Sequence, residues 1–123
     1  MNIKKNFFHC MFKMDTDILK FIQSCTKDRR ILWTYHVNMR LERRFISRKA
    51  IISSVDTYEI IEKYPMDKYL PSYLIYAKYK NQVIHIQIAI NLNDETIIIV
   101  TAYKPTLSKW KKNFKTRRRD DLS

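Results

Sequence analysis

At 123 residues the chain holds one compact domain with one modest core, and 46% hydrophobic against 29% charged residues is the balance of a folded protein, not a disordered tail. Lys and Arg outnumber Asp and Glu by 24 to 12, and the resulting +12 field draws polyanions and argues against a protein-only interaction surface. Two cysteines (Cys10, Cys25) and three scattered histidines (His9, His36, His85) exclude a disulfide framework and lack zinc-ligand spacing, so neither a metal nor another cofactor is expected.

Lys4 and Lys5 precede Phe7 and Phe8, as at the start of a signal peptide, but polar residues break the stretch before an apolar segment forms. The longest apolar run, Ile97 to Val100, is strand-sized, so no membrane span is predicted and the chain reads as cytoplasmic. Asp15 or Thr16 caps a short helix through Ser24, with Ile18, Leu19, Phe21 and Ile22 on its apolar side. Residues 1–30 form an accessory segment ahead of a single domain over 31–119.

From Ile31 to Phe45 the pattern is helical, because Val37, Leu41 and Phe45 recur four apart as an apolar seam. His36, Arg40 and Arg44 share that spacing one residue round, on the flank where a helix meets solvent or ligand. Ser47 reads as the N-cap of a second helix through about Val55, with Ala50, Ile51 and Val55 inward.

After Asp56 the period falls to two. Strands are predicted over Tyr58–Tyr64, Tyr73–Tyr79, Val83–Ile90 and Glu95–Tyr103, with turns at Lys80-Asn81-Gln82 and Asn91-Leu92-Asn93-Asp94. There is no glycine, so Asn, Asp and Lys must supply the tight turns. Ile84, Ile86, Ile88 and Ile90 share one face of their strand, and His85 and Gln87 the other, which suits a sheet with helices behind and a ligand in front. Trp110 and Phe114, four apart, suggest a short C-terminal helix, docked by its aromatics, or a tail. The predicted class is α+β, with N-terminal helices packed on a four-stranded antiparallel sheet.

No acid occurs between Ile97 and Arg119, while Lys104, Lys109, Lys111, Lys112, Lys115, Arg117, Arg118 and Arg119 do. A solvated face would be the plain reading, but clustering of this kind is an electrostatic footprint for nucleic acid, and RNA is the predicted partner.

The stretch from Tyr35 to Ser47, then Ile60 to Pro65, Val83 to Ile86, Ile99 to Pro105 and Trp110 resembles domain-of-unknown-function family 4258, over residues 31–119. That family is similar to small RelE-like and BrnT-like toxins. The resemblance implies a RelE- or barnase-like ribonuclease fold, a metal-independent endoribonuclease acting as the toxin of a toxin–antitoxin pair, and a cognate acidic antitoxin as a protein partner. One departure is visible: a glycine commonly follows the second helical arginine, where this chain has Phe45.

RNA carries its own nucleophile, the 2′-OH, so metal-free cleavage needs a base, cations for the phosphorane and an acid for the leaving oxygen. The residues expected to supply these are His36 and His85 for proton transfer, Arg40 for the phosphate, and Thr101 and Tyr103 as donors. Phosphate binding falls to Arg43, Arg44, Lys104, Lys109, Lys112, Arg117, Arg118 and Arg119. Each also has a plainer reading: His85 as a satisfied sheet residue, His36 as a brace of its helix, the arginines as partners of nearby acids and Tyr103 as core. A non-catalytic RNA- or DNA-binding module uses the same cations and stays open beside the enzyme.

Strand register decides whether His85, Thr101 and Tyr103 form one site. An Asn93-Asp94 two-residue turn sets His85 opposite Ala102, away from Thr101 and Tyr103. A three-residue loop from Leu92 to Asp94 turns His85 onto their face.

Overall fold

A computed structural model describes residues 15–66 and 69–119. In chain order these form α1 (Asp15–Lys27), β1 (Ile31–Trp33), α2 (Tyr35–Arg43), α3 (Arg48–Ser53), a 3-10 turn (Val55–Thr57), β2 (Glu59–Tyr64), β3 (Ser72–Tyr79), β4 (Gln82–Asn91) and β5 (Thr96–Tyr103). The class is α+β, as expected, but the sheet has five strands in the order β1-β5-β4-β3-β2. Strands β2 to β5 make the predicted antiparallel meander, while β1 adds a parallel edge beside β5, pairing Ile31, Leu32 and Trp33 with Ile97, Ile98 and Ile99. Periodicity predicts a helix over residues 31–33, yet a three-residue strand is too short to show a period of its own.

Local chemistry sets the helix limits. Thr34 caps α2, its hydroxyl accepting from the Val37 amide at 3.1 Å, and Val37 and Leu41 are buried one turn apart. Ser47 caps α3 as predicted, accepting from the Ala50 amide at 3.0 Å. Helix α1 runs on to Lys27, past the predicted end at Ser24, because Cys25 continues the buried stripe of Ile18, Phe21 and Ile22. The β3–β4 hairpin turns on Lys80 and Asn81, both at positive φ (50° and 64°), which are the dihedrals of a two-residue turn that follows the sheet twist.

The main core lies between the helices and one sheet face. Ile22, Val37 and Ile51 from the helices meet Ile75, Ile86, Ile88, Ile97 and Ile99, all fully buried. Burying an isoleucine or leucine side chain stabilises by about 1.5–3 kcal/mol. The second face carries Ser72, Leu74, Tyr76, His85, Gln87, Ala89, Thr101 and Tyr103, as their cross-strand pairs require.

That face is not open along its length. Of the predicted short C-terminal helix or tail, no helix forms among the described residues: Trp110 pairs with Arg117 through an antiparallel bridge, and the Phe114 backbone sits at φ 56°. With one leg of the turn bridged to the other, residues 104–119 fold back across the sheet, and Trp110 is buried there rather than on a helix flank.

Candidate functional site

A β-bulge decides what faces what. Asn91 pairs with Thr96 around a loop of Leu92 to Glu95, a register that would have set His85 opposite Ala102. The shift between Gln87 and Ile88 leaves Val100 as the extra residue on β5, so beyond it His85 pairs with Tyr103 and Gln87 with Thr101. Burial confirms the flip: Ile97 and Ile99 point into the main core, and after the bulge Ala102 takes that role. His85, Thr101 and Tyr103 therefore share one face, although neither loop length considered from the sequence produces this register by itself.

His85 lies at the centre, with none of its surface exposed. Its Nε2 is 2.6 Å from the Phe114 carbonyl oxygen and its Nδ1 is 3.2 Å from the Tyr103 hydroxyl. A carbonyl only accepts, so Nε2 carries the proton and Nδ1 accepts from Tyr103. Trp110 meets the imidazole edge-on at 4.4 Å between centroids. Burial holds the His85 pKa below its usual value and pushes that of Tyr103 up.

Beside it stands a second polar group. Glu62 on β2 accepts two bonds from Arg117, at 2.6 and 3.2 Å, and another from the Tyr64 hydroxyl. Burial raises the Glu62 pKa, but the Arg117 and Tyr64 hydrogen bonds outweigh it and hold the carboxyl below the usual range. Arg117 also lies over the Trp110 ring at 4.6 Å, and Lys115 bridges Glu59 at 3.0 Å while covering Tyr76. Glu62 and Tyr64 were missed from the sequence. Their spacing of two on a strand was the available signal, but it gave no hint that Arg117 would reach them.

The remaining predicted residues divide. Arg44 rounds the edge of β5 beyond β1 and donates to the Thr101 hydroxyl at 3.0 Å and the Ala102 carbonyl at 2.8 Å, next to Tyr103. Arg118 donates to the Leu107 and Trp110 carbonyls, so it braces the folded-back segment. His36, Arg40 and Arg43 are exposed on α2, with His36 edge-on to Tyr35, and Lys104, Lys109, Lys112 and Arg119 are exposed on the C-terminal segment. His36 and His85 thus belong to different surfaces, one on a solvated helix and one beneath Trp110. Among the described residues no group of three His, Cys, Asp or Glu side chains is arranged to hold a metal ion, and no helix is long and apolar enough to cross a membrane.

A family model described as a domain of unknown function, DUF4258, matches residues 33–104, more than half of the chain. No curated protein and no solved structure matches it.

Proposed function

This chain belongs to the DUF4258 family, and on that premise we propose that it cleaves RNA by attack of the 2′-OH on the adjacent phosphate, at the second face of the sheet. The observation that carries this reading is the convergence of Glu62, Arg117, Tyr103 and His85, with Arg44 at the margin, on one face of a +12 chain. The Glu62 carboxylate, kept ionised by Arg117 and Tyr64, takes the 2′-OH proton. Arg117 and Arg44 neutralise the phosphorane, as planar guanidinium groups do best. The 2′ oxygen bonds to phosphorus, the bond to the 5′ oxygen breaks, and that oxygen takes a proton from water, leaving a cyclic phosphate.

Roles shift from those expected of the sequence. His85, sealed and bonded through both nitrogens, positions Tyr103, while His36, Arg40 and Arg43 guide the strand along α2. The toxin resemblance fits an acidic antitoxin as the protein that would cover these cations.

A non-catalytic RNA-binding role is the second reading. It is favoured by the occupation of Arg117 by Glu62 and by the burial of His85, which leave the exposed cations to bind phosphate without chemistry. One experiment separates the two: purified protein, freed of co-purifying partners, is incubated in excess EDTA with RNA and with a matched substrate bearing a 2′-deoxy sugar at the cut position. Cleavage of the first alone, ending in a cyclic phosphate or its hydrolysis product, is expected. Glu62→Gln should lose on the order of 100-fold to 10,000-fold in rate while retaining RNA affinity. Tight binding with no cutting by the wild type would establish the binding module instead.

A further inference from the structure

Helix α2 ends in a left-handed turn of the kind that glycine usually makes. The Ile46 amide donates to the Leu41 carbonyl at 3.0 Å and the Phe45 amide to that of Glu42 at 3.2 Å, the paired bonds of a Schellman cap, with Phe45 at φ 57°. A Cβ in this region is strained, and an aromatic residue is poorly suited to it. The chain has no glycine, so its other left-handed positions are also occupied by side chains. Among the described residues those are Arg29, Lys80, Asn81 and Glu95, polar residues of turns, and Phe114, whose ring is half-buried and whose carbonyl holds His85.

Phe45 differs from all of them. Its side chain is 87% exposed, so no burial offsets the strain. Around it the sequence is basic: Arg40, Arg43 and Arg44 precede it, and Arg48 and Lys49 follow. Arg48 is committed to Asn38 and the Trp33 ring, and Arg44 to β5, which fixes the corner rigidly. Arg40 and Arg43 stay exposed, with no charged partner among the described residues.

From this we infer that Phe45 is a base-stacking platform for single-stranded RNA, whose flanking phosphates are held by Arg40 and Arg43. The site rests on the RNA reading above and adds to it a defined contact for an unpaired base. An aromatic face accepts any base, and nearby guanidinium groups track the backbone, the combination that single-strand binding requires. An exposed ring at a rigid, strained corner meets a base without losing loop freedom. Charge alone admits an acidic protein as well as RNA, but a stacked base with a phosphate on either side uses the ring face and both guanidinium groups at once.

The test uses the full chain and a fluorescein-labelled single-stranded RNA 12-mer in fluorescence anisotropy, alongside thermal melting. Phe45→Gly should raise the melting temperature, since glycine relieves the turn, and weaken RNA binding about tenfold at fixed salt. The slope of affinity against salt should not change, because that slope counts phosphate contacts. Phe45→Trp should bind at least as tightly as the wild type. A more stable Phe45→Gly with wild-type affinity would overturn the platform while leaving RNA binding intact, and such a ring would then serve a protein partner. Failure of the wild type itself to bind RNA would instead remove the broader reading, and the platform with it.

Discussion

The two faces of one sheet are closed by different chemistry. On the helix side, isoleucines of β3, β4 and β5 meet Ile22, Val37 and Ile51 in a continuous apolar core. On the other side the cover is a segment with no regular helix, held by Lys115 on Glu59, Arg117 on Glu62, arginine over tryptophan, and a histidine between a tyrosine and a carbonyl. Apolar burial is indifferent to salt and proton concentration, whereas ion pairs and a neutral buried imidazole respond to both. The first face should therefore carry global stability, and the second should open locally as conditions change.

The largest effect that could break this comparison is on the helix side. Ile86→Ala removes a fully buried side chain and should cost about 2–5 kcal/mol of global stability in urea denaturation, by the same amount at low and high salt. Loss confined to the C-terminal segment would show that the two layers are not distinct.

A smaller and local effect is expected from protons. Burial holds the His85 pKa below 6.5, with the Phe114 carbonyl and Glu62 opposing that shift and Arg117 reinforcing it. A released segment lets the imidazole take its proton first, so the stability of the closed form is complete above pH 6.5 and declines as pH falls through 6.5 toward the lower value of the closed state. Protonation also places a hydrogen on Nδ1, where Tyr103 now donates. Glu62, its pKa lowered, keeps its contribution until the solution is more acidic still. Hydrogen exchange of the Lys111 and Arg118 amides, which bond Thr116 and Lys109, should accelerate between pH 6.5 and 5 beyond the intrinsic rate change, while core amides of β4 do not. His85→Phe should remove that excess acceleration; its survival would assign the pH response elsewhere.

The smallest expected effect is electrostatic. Arg117→Gln removes a half-exposed ion pair and a cation–π contact, together worth about 1 kcal/mol or less. The loss should show in protection of residues 110–118 at low salt and shrink in 0.5 M NaCl. An equal loss at both salt concentrations would mean that the segment is held by packing of Trp110 alone.

The sequence was legible where the cause is local. The Ser47 cap, the Val37 and Leu41 part of the predicted seam, the turn at Lys80 and Asn81, and the alternation that buries Ile84 to Ile90 all arise from neighbours within a few residues, whereas Phe45, the third member of that seam, lies past the helix end and is exposed. The candidate site was legible in part of its membership, since Glu62 and Tyr64 were not singled out, and not in its assembly. His85, Thr101, Tyr103, Arg44 and Arg117 were recognisable as chemically apt types, but the bulge at Val100 that gathers three of them has no signature within β5.

What the amino-acid sequence determined by itself was the class of the fold, the meander, the Ser47 cap and the net charge, because propensity, periodicity and net charge act through the chain locally or as a sum. Tertiary structure alone decided that residues 31–33 become a parallel edge strand, that Val100 is squeezed out of register, and that residues 104–119 return to Glu59 and Glu62 rather than form a helix. Each of these depends on a partner more than fifty residues away for the strand and the ion pairs, and on a neighbouring strand for the bulge. Contacts of that separation are set by which surfaces the packed core leaves uncovered, and so they appear only once the sheet exists.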